Sequence, residues 1–327
     1  MYKISIIIPH YNSIFSLKYL LSTIPEIPEI QIIIVDDRST FDNESYDKLA
    51  KTIKRKNILF LRNTSENKGA GACRNIGLNY AKGEWILFAD SDDYFIEKFY
   101  NTISNYLESE NDVIFFTPTS IEIESGKVST RHLAYETLID NYISFPNYKN
   151  SLDLKFKFFA PWSKLIKRKL IETHHIKFDE VIASNDVLFS TKVGYYMKKY
   201  EVTHKKIYCI TRKKGSLTTQ VSLDVYNSRL QAFIRQSNFL KEGLPKDSYD
   251  SLELIGRSML LNGFYYKIGY VNILKTFVLM QKNNIKIFDW KLLNPYFILK
   301  KLSFYKKQFN KDKKFLANKN DHIDIQY

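Results

Sequence analysis

Over the first 118 residues the chain alternates between two hydrophobic periods. Short, largely continuous apolar runs stand at residues 4–8 (ISIII), 30–35 (IQIIIV), 58–63 (ILFLRN), 85–90 (WILFAD) and 112–118 (DVIFFTP). Runs of this length, rich in β-branched side chains, predict strands buried on both faces. Between them SLKYLLSTI and residues 45–56, 70–83 and 97–109 carry helical spacing. Ser16 stands where it can cap the start of the first helix, and Gly83 where it can close the helix of residues 70–83. Strands alternating with helices predict an α/β fold with a mostly parallel, doubly wound sheet. Ligands bind such sheets beyond the carboxyl ends of the strands, which is where Asp36, Asp37, Asp90, Asp92 and Asp93 fall.

Residues 119 to about 218 are less regular. From about Asp224 a helical stripe returns through Tyr226, Leu230, Phe233, Ile234 and Leu240, and a second begins with Leu252, Ile255, Met259 and Leu260. Both stripes, over residues 225–262, are expected to pack as core on the preceding domain. A boundary near residue 220 is expected.

Composition narrows the class. With 327 residues, 44% hydrophobic and 15% aromatic, the chain is not disordered and can bury a large core. Two distant cysteines, Cys73 and Cys209, make no disulfide framework and point to a reducing compartment. Pro9 cuts short the apolar opening, so no signal peptide is expected. The most apolar long stretch, residues 264–280, is broken by Lys267, Asn272 and Lys275, which predicts a soluble or surface-attached chain. A formal charge of +14 calls for anionic partners, and nucleic acid, an anionic membrane and phosphorylated small molecules all fit. The six histidines show no metal-ligand spacing, and no P-loop, GxGxxG or nucleophile elbow is present.

The acid after residue 85 is the main chemical signal. Burying an unpaired carboxylate costs on the order of several kcal/mol, yet the run WILF leads directly into Asp90-Ser91-Asp92-Asp93. A carboxylate–small–carboxylate triplet suits Mg²⁺ or Mn²⁺, which take oxygen ligands and often share them with substrate phosphates. Taken alone such a triplet is more often a solvated loop. VDDRS at residues 35–39 is equally weak by itself, since Asp commonly caps a turn.

Several blocks occur together in order: ISIIIPHYN (4–12), IIIVDDRST (32–40), NKGAGACRNIG (67–77), AKGEWILFADSDD (81–93), APWSKLIKRKLI (160–171), IKFDE (176–180), NDVLF (185–189) and TRKKGSLT (211–218). This series resembles the family 2 glycosyltransferases with a GT-A fold, particularly bacterial enzymes that build capsule, lipopolysaccharide or other surface glycans. The resemblance spans roughly residues 3–218. It implies a catalytic domain over 1–220, with a nucleotide-sugar half to about 118 and an acceptor half over 119–220. A helical, basic region follows over 221–327.

The resemblance also implies roles. Pro9, Tyr11 and Asn12 would line the nucleotide pocket, although Tyr11 also reads as a packing aromatic. Asp37 would recognise the base, with Lys68 and Arg74 nearby, or Arg74 could be a surface ion pair. Asp90 and Ser91 would face the ribose side of the donor, Asp92 would hold Mn²⁺ or Mg²⁺, and Asp93 would support the site or cap the next helix. Asp186 would be the base that deprotonates the acceptor hydroxyl in an inverting transfer, with a helix cap as its rival role. The family carries Glu-Asp where this chain has Asn185-Asp186, so the role of that Glu, orienting acceptor or metal, is either altered or done by the neutral Asn185 amide at the acceptor side. Trp162 would wall the acceptor site or else be core. Arg212, Lys213 and Lys214 would grip phosphates or form a solvated basic loop.

The implied donor is a nucleotide-diphosphate sugar, UDP-linked by preference, and the acceptor a glycan that can be lipid-linked. The implied location is the cytoplasm, with contact to the inner-membrane surface through the lysine-rich residues 300–315. Two other classes remain in view: a catalytically lapsed relative serving as a scaffold, suggested by Asn185, and a basic nucleic-acid binder. No recognisable nucleic-acid module supports the latter, and nucleic acid is not among the expected partners.

Overall fold

The computed structural model describes residues 2–41, 43–212, 222–288 and 296. Two compact units are present: one comprises Met1–Arg212 and Asp224–Leu252, the other Lys213–Leu223 and the chain from Glu253 onward.

The first unit follows the expected alternation: β1 (Ile4–His10), α1 (Ile14–Thr23), β2 (Ile30–Asp36), α2 (Asn43–Thr52), β3 (Ile58–Arg62), α3 (Ala70–Tyr80) and β4 (Trp85–Phe88). Next come β5 (Tyr94–Phe95), α4 (Phe99–Ser104), β6 (Val113–Phe116) and β7 (Thr119–Glu122). The irregular stretch resolves into α5 (Leu133–Ser144), α6 (Tyr148–Lys157), β8 (Lys164–Lys167), α7 (Arg168–Thr173), α8 (Val187–Tyr196), β9 (Tyr200–Thr203) and β10 (Tyr208–Arg212), before α9 (Leu223–Gly243) and α10 (Lys246–Ser251).

Seven strands form the main sheet in the order β3-β2-β1-β4-β8-β6-β9. All pairs are parallel except those of β8, which runs against both β4 and β6. β1 and β2 are buried along their whole lengths because helices cover both faces, which explains their unbroken apolar runs. Their register, Ile4 on Ile30 through His10 on Asp36, brings the acid tips to one edge. A smaller sheet, β5-β10-β7, stands beside the turn after β4. The mostly parallel GT-A-type α/β architecture is thus present.

Two local expectations are corrected. Ser13, not Ser16, occupies the N-cap of α1, and the Ser16 hydroxyl instead donates to the Ser13 carbonyl at 3.0 Å. α3 ends at Tyr80 with Ala81 as its cap, so Gly83 closes no helix. Gly83 is small for a different reason: a Cβ there would stand 2.3 Å from the Ser5 nitrogen, so the backbone can pass β1 only without a side chain.

α9 belongs to the first unit. Tyr226, Leu230, Ile234 and Leu240 are buried, Gln236 Nε2 donates to the Phe156 carbonyl at 2.9 Å, and Ser228 Oγ donates to that of Ala183 at 2.7 Å. Packing therefore moves the compact unit's end from about residue 220 to Leu252. The second unit contains α11 (Arg257–Tyr265) and α12 (Tyr270–Lys282), with Met280, Ile285 and Ile287 buried. Beyond Leu252 the second stripe, expected to pack on the first domain, falls in this unit instead. The lysine-rich residues 300–315 lie outside the described residues. Among those described, no helix is long and apolar enough to cross a membrane.

Candidate active site

The edge formed by β1 and β2 is held by side chains. Asp36 is fully buried, accepting from Ser39 and lying 2.8 Å from His10 Nδ1. Burial pushes its carboxyl up, but the bonds from His10 and Ser39 outweigh that and hold it below the usual range. Asp36 is therefore part of the framework. Pro9 is buried within β1 opposite Val35, and Tyr11 just beyond is 51% exposed. Asn12 adopts a left-handed backbone (φ 46°), and its Oδ1 receives the Thr40 and Phe41 amides at 2.9 and 3.1 Å. It shapes the turn after β2.

Asp37 points into the next loop. Its Oδ1 accepts from Asn63 Nδ2 and its Oδ2 from the Gly69 amide, both at 2.7 Å. Each oxygen retains a lone pair for a further donor. Lys68, beside Gly69, is exposed.

Arg74 leaves the first turn and a half of α3 and is 5% exposed. It binds Asp90 through Nη2 at 2.5 Å and Asn185 Oδ1 through Nη1 at 2.8 Å, with its guanidinium 5.2 Å from the Phe178 ring centroid. One cation thus ties the Asp90 turn to the segment bearing Asp186. The neutral Asn185 amide supplies an oxygen that Arg74 uses as an acceptor. Asn75 pairs with the Phe178 backbone in both directions, at 2.8 and 3.0 Å, and fixes the same junction. Gly71 permits it: a Cβ there would meet the Asp179 carbonyl oxygen at 2.2 Å.

The turn after β4 is clasped from the other side by β10. Tyr208 donates to Asp93 Oδ2 at 2.9 Å and accepts from the Asp90 amide at 2.8 Å. The Thr211 amide donates to Asp93 Oδ1 at 2.7 Å, and its hydroxyl to the Asp92 carbonyl at 2.6 Å. Asp93 is nearly inaccessible, and burial followed by the charges of Asp92 and Asp90 pushes its carboxyl well up. It does not cap α4, whose N-cap is Lys98. Asp93 holds β10 under the acidic turn. Ser91 Oγ meets Ser13 Oγ at 2.8 Å, linking the turn to α1, while Asp92 is exposed.

Trp162 is 6% exposed, stacked on Tyr208 with centroids 5.8 Å apart and edge-on to Tyr135 at 5.1 Å. It packs behind Tyr208 and presents little surface to an acceptor. Arg212 ends β10 in register with Glu122 and is half-buried; Lys213 and Lys214 lie outside the described residues.

Asp186 stands at the N-cap position of α8, yet its side chain makes no capping bond. Burial raises its carboxyl above the usual range; Arg74 opposes this, Asp90 adds to it, and Lys164 also opposes it. Lys164, at the start of β8, went unrecognised as part of the site. It is 2% exposed, donates to the Phe158 carbonyl at 2.6 Å, and burial pushes its ammonium down to about 7. The only sequence signal was a lysine set among apolar residues in PWSKLI. Asn63, Tyr208 and Thr211 were equally silent, because each contributes through a partner far away in the chain.

Residues 5–174 match the family described as Glycosyl transferase family 2. Glycosyltransferase GlyA of Streptococcus pneumoniae serotype 4 is 29% identical over 223 residues, 66% of this chain and 31% of that protein. The poly(ribitol-phosphate) beta-glucosyltransferase of Bacillus spizizenii is 30% identical over 230 residues, 63% of this chain and 34% of its own length. The chain therefore spans about a third of either relative. The crystal structure of S. aureus TarS 1-349 in complex with UDP-GlcNAc has the same fold, with a TM-score of 0.62 at 22% identity over 82% of this chain and 76% of that one. With more than half of its length matched, the chain belongs to glycosyl transferase family 2.

Proposed function

We propose that the protein is an inverting, metal-dependent glycosyltransferase that moves a hexose or N-acetylhexosamine from a UDP-sugar to a hydroxyl of a growing surface glycan. The observation that carries this reading is the Arg74 bridge, which joins the Asp90 turn to the Asn185–Asp186 pair. Donor and base chemistry then share one cleft. The relatives named above support a wall or surface polymer as acceptor, and the UDP-GlcNAc complex of TarS supports a uridine donor.

Asp186 receives the proton of the acceptor hydroxyl as that oxygen attacks the anomeric carbon. Burial suits it to the role, because a carboxylate with raised proton affinity is a better base near neutral pH. Arg74 keeps Asp90 oriented and Asp186 ionised enough to act. Asp37 would accept a hydrogen bond from the uracil imide N–H through a remaining lone pair, with Pro9 and Tyr11 beside it, and Lys68 and Arg212 would supply positive charge to the diphosphate. Ser91 and Asp90 face the ribose.

Asp92, with Asp90, is the pair to hold Mn²⁺ or Mg²⁺. The donor set fits: both are oxygen ligands, Asp92 is exposed, and the Asp90 side chain retains 31% of its surface. Among the described residues no three His, Cys, Asp or Glu side chains gather as a complete ion cage. Asp90 and Asp92 would supply two carboxylates, as suits an ion that also takes oxygens from substrate phosphate. When bound, the ion compensates the charge of the departing diphosphate.

A thermal-shift titration with UDP-sugars, with and without Mn²⁺, tests the reading. Stabilisation by a UDP-sugar that needs the ion is expected, together with slow donor hydrolysis abolished by chelation. Asp186→Asn should keep donor binding while transfer falls by about 10²- to 10⁴-fold. No stabilisation and no hydrolysis with any UDP-hexose would refute it.

A further inference from the structure

We propose that the outer face of α11 and α12 lies on a membrane surface rich in anionic headgroups. This inference concerns the second unit and does not rest on the activity proposed above. α12 buries Thr276 and Met280, and a Cβ on Gly256 would come within 2.5 Å of the Met280 sulfur. The opposite side of the helix carries Tyr270, Val271, Leu274 and Val278, exposed by 83, 67, 63 and 44%. α11 adds Leu261, Phe264 and Tyr265, each more than 40% exposed. A helix in water normally turns polar residues outward. Here the outward stripe is aliphatic and aromatic, and large exposed apolar patches mark interaction surfaces.

The charge around this face identifies the partner. Residues 254–288 contain no Asp or Glu, while Arg257, Lys267, Lys275, Lys282 and Lys286 are all basic. Lys267, Lys275, Lys282 and Lys286 are exposed. An apolar stripe with tyrosines and phenylalanine at its margin and lysines around it fits the boundary between headgroups and acyl chains. At about 1.5 Å per residue the helix is roughly 20 Å long, too short to span a hydrocarbon core of about 30 Å, so it would lie in the plane. A second copy fits poorly, because a two-fold contact would set acid-free basic faces against each other. The chain's own residues 300–314 carry seven lysines and one aspartate and offer no opposite charge either.

The test is co-sedimentation of the full chain with vesicles of phosphatidylcholine alone and of equal parts phosphatidylcholine and phosphatidylglycerol. Binding to the mixed vesicles, weakened by salt and slight on the neutral ones, is expected. Leu274→Glu with Val278→Glu should weaken that binding at least about tenfold while the melting temperature is kept, since both side chains face outward. Lys267→Gln, Lys275→Gln and Lys282→Gln together should weaken it on the order of a hundredfold and leave the apolar stripe intact. Should the glutamate variant unfold, the lysine variant decides. The proposal is overturned if the wild type ignores anionic vesicles or if folded variants bind undiminished. It is also overturned if analytical ultracentrifugation shows the same substitutions dissolving a dimer that does not bind vesicles.

Discussion

Replacing Arg74 with Met removes a cation that joins the acidic turn to the segment carrying Asp186, the proposed base, while keeping most of the side chain's volume. Three interactions go with it: the 2.5 Å contact to Asp90, the 2.8 Å bond to Asn185 and the guanidinium–Phe178 contact at 5.2 Å. Arg74 is buried but Asp90 keeps 31% of its side-chain surface, so the ion pair is discounted to about 1–2 kcal/mol. The bond to Asn185 contributes about 1 kcal/mol and the ring contact about 0.5–1 kcal/mol. Relief from burying a guanidinium offsets part of the sum, leaving a net loss of about 2 kcal/mol. A urea titration should register this as a lower midpoint at an unchanged slope. The second effect is electrostatic. Arg74 opposes the burial that raises Asp186, so its removal lets that carboxyl rise further. As the proposed base, Asp186 works ionised, so activity should fall as pH drops through its folded pKa. The acid limb of kcat/KM should therefore move to higher pH. Stability within about 0.5 kcal/mol of wild type, together with an unmoved acid limb, would refute the bridge as a functional element.

Gly71→Ala should cost about 1–3 kcal/mol and slow transfer with donor binding largely kept, because its methyl would strike the Asp179 carbonyl and displace the segment leading to Asp186; equal turnover in the two proteins would count against it. Lys164→Met tests the buried ammonium by its pH signature. A lysine pushed down to about 7 by burial contributes most above its ordinary range, and that contribution is lost as pH falls to about 7. The variant should therefore be most stable relative to wild type at pH 6 and lose ground by pH 9. Urea midpoints differing by a constant amount across that range would exclude the effect.

The nucleotide-sugar half of the fold was legible because β1, β2, β4 and β6 are buried on both faces. β3, at the sheet edge, is only part-buried, against the expectation of its apolar run. Apolar runs at residues 4–8, 30–35 and 85–88 needed no partner to be recognised. The region after residue 119 was not, since α6 mixes lysines into its buried stripe and β8 begins with a buried Lys164. How far the first unit reaches is set by tertiary contacts: α9 has an ordinary amphipathic pattern, and its bonds to the Phe156 and Ala183 carbonyls hold it in that unit.

The order of chemical blocks along the chain was enough to name the family and to nominate Asp37, Asp90, Asp92 and Asp186, because strand periodicity and turn residues are local properties. What Arg74, Trp162 and Asp93 do was decided only in three dimensions. Their partners lie up to about a hundred or more residues away: Asn185 for Arg74, Tyr208 for Trp162 and Asp93. A side chain's hydrogen bonds and its proton affinity depend on what folding brings within a few ångströms, and linear spacing carries no record of that.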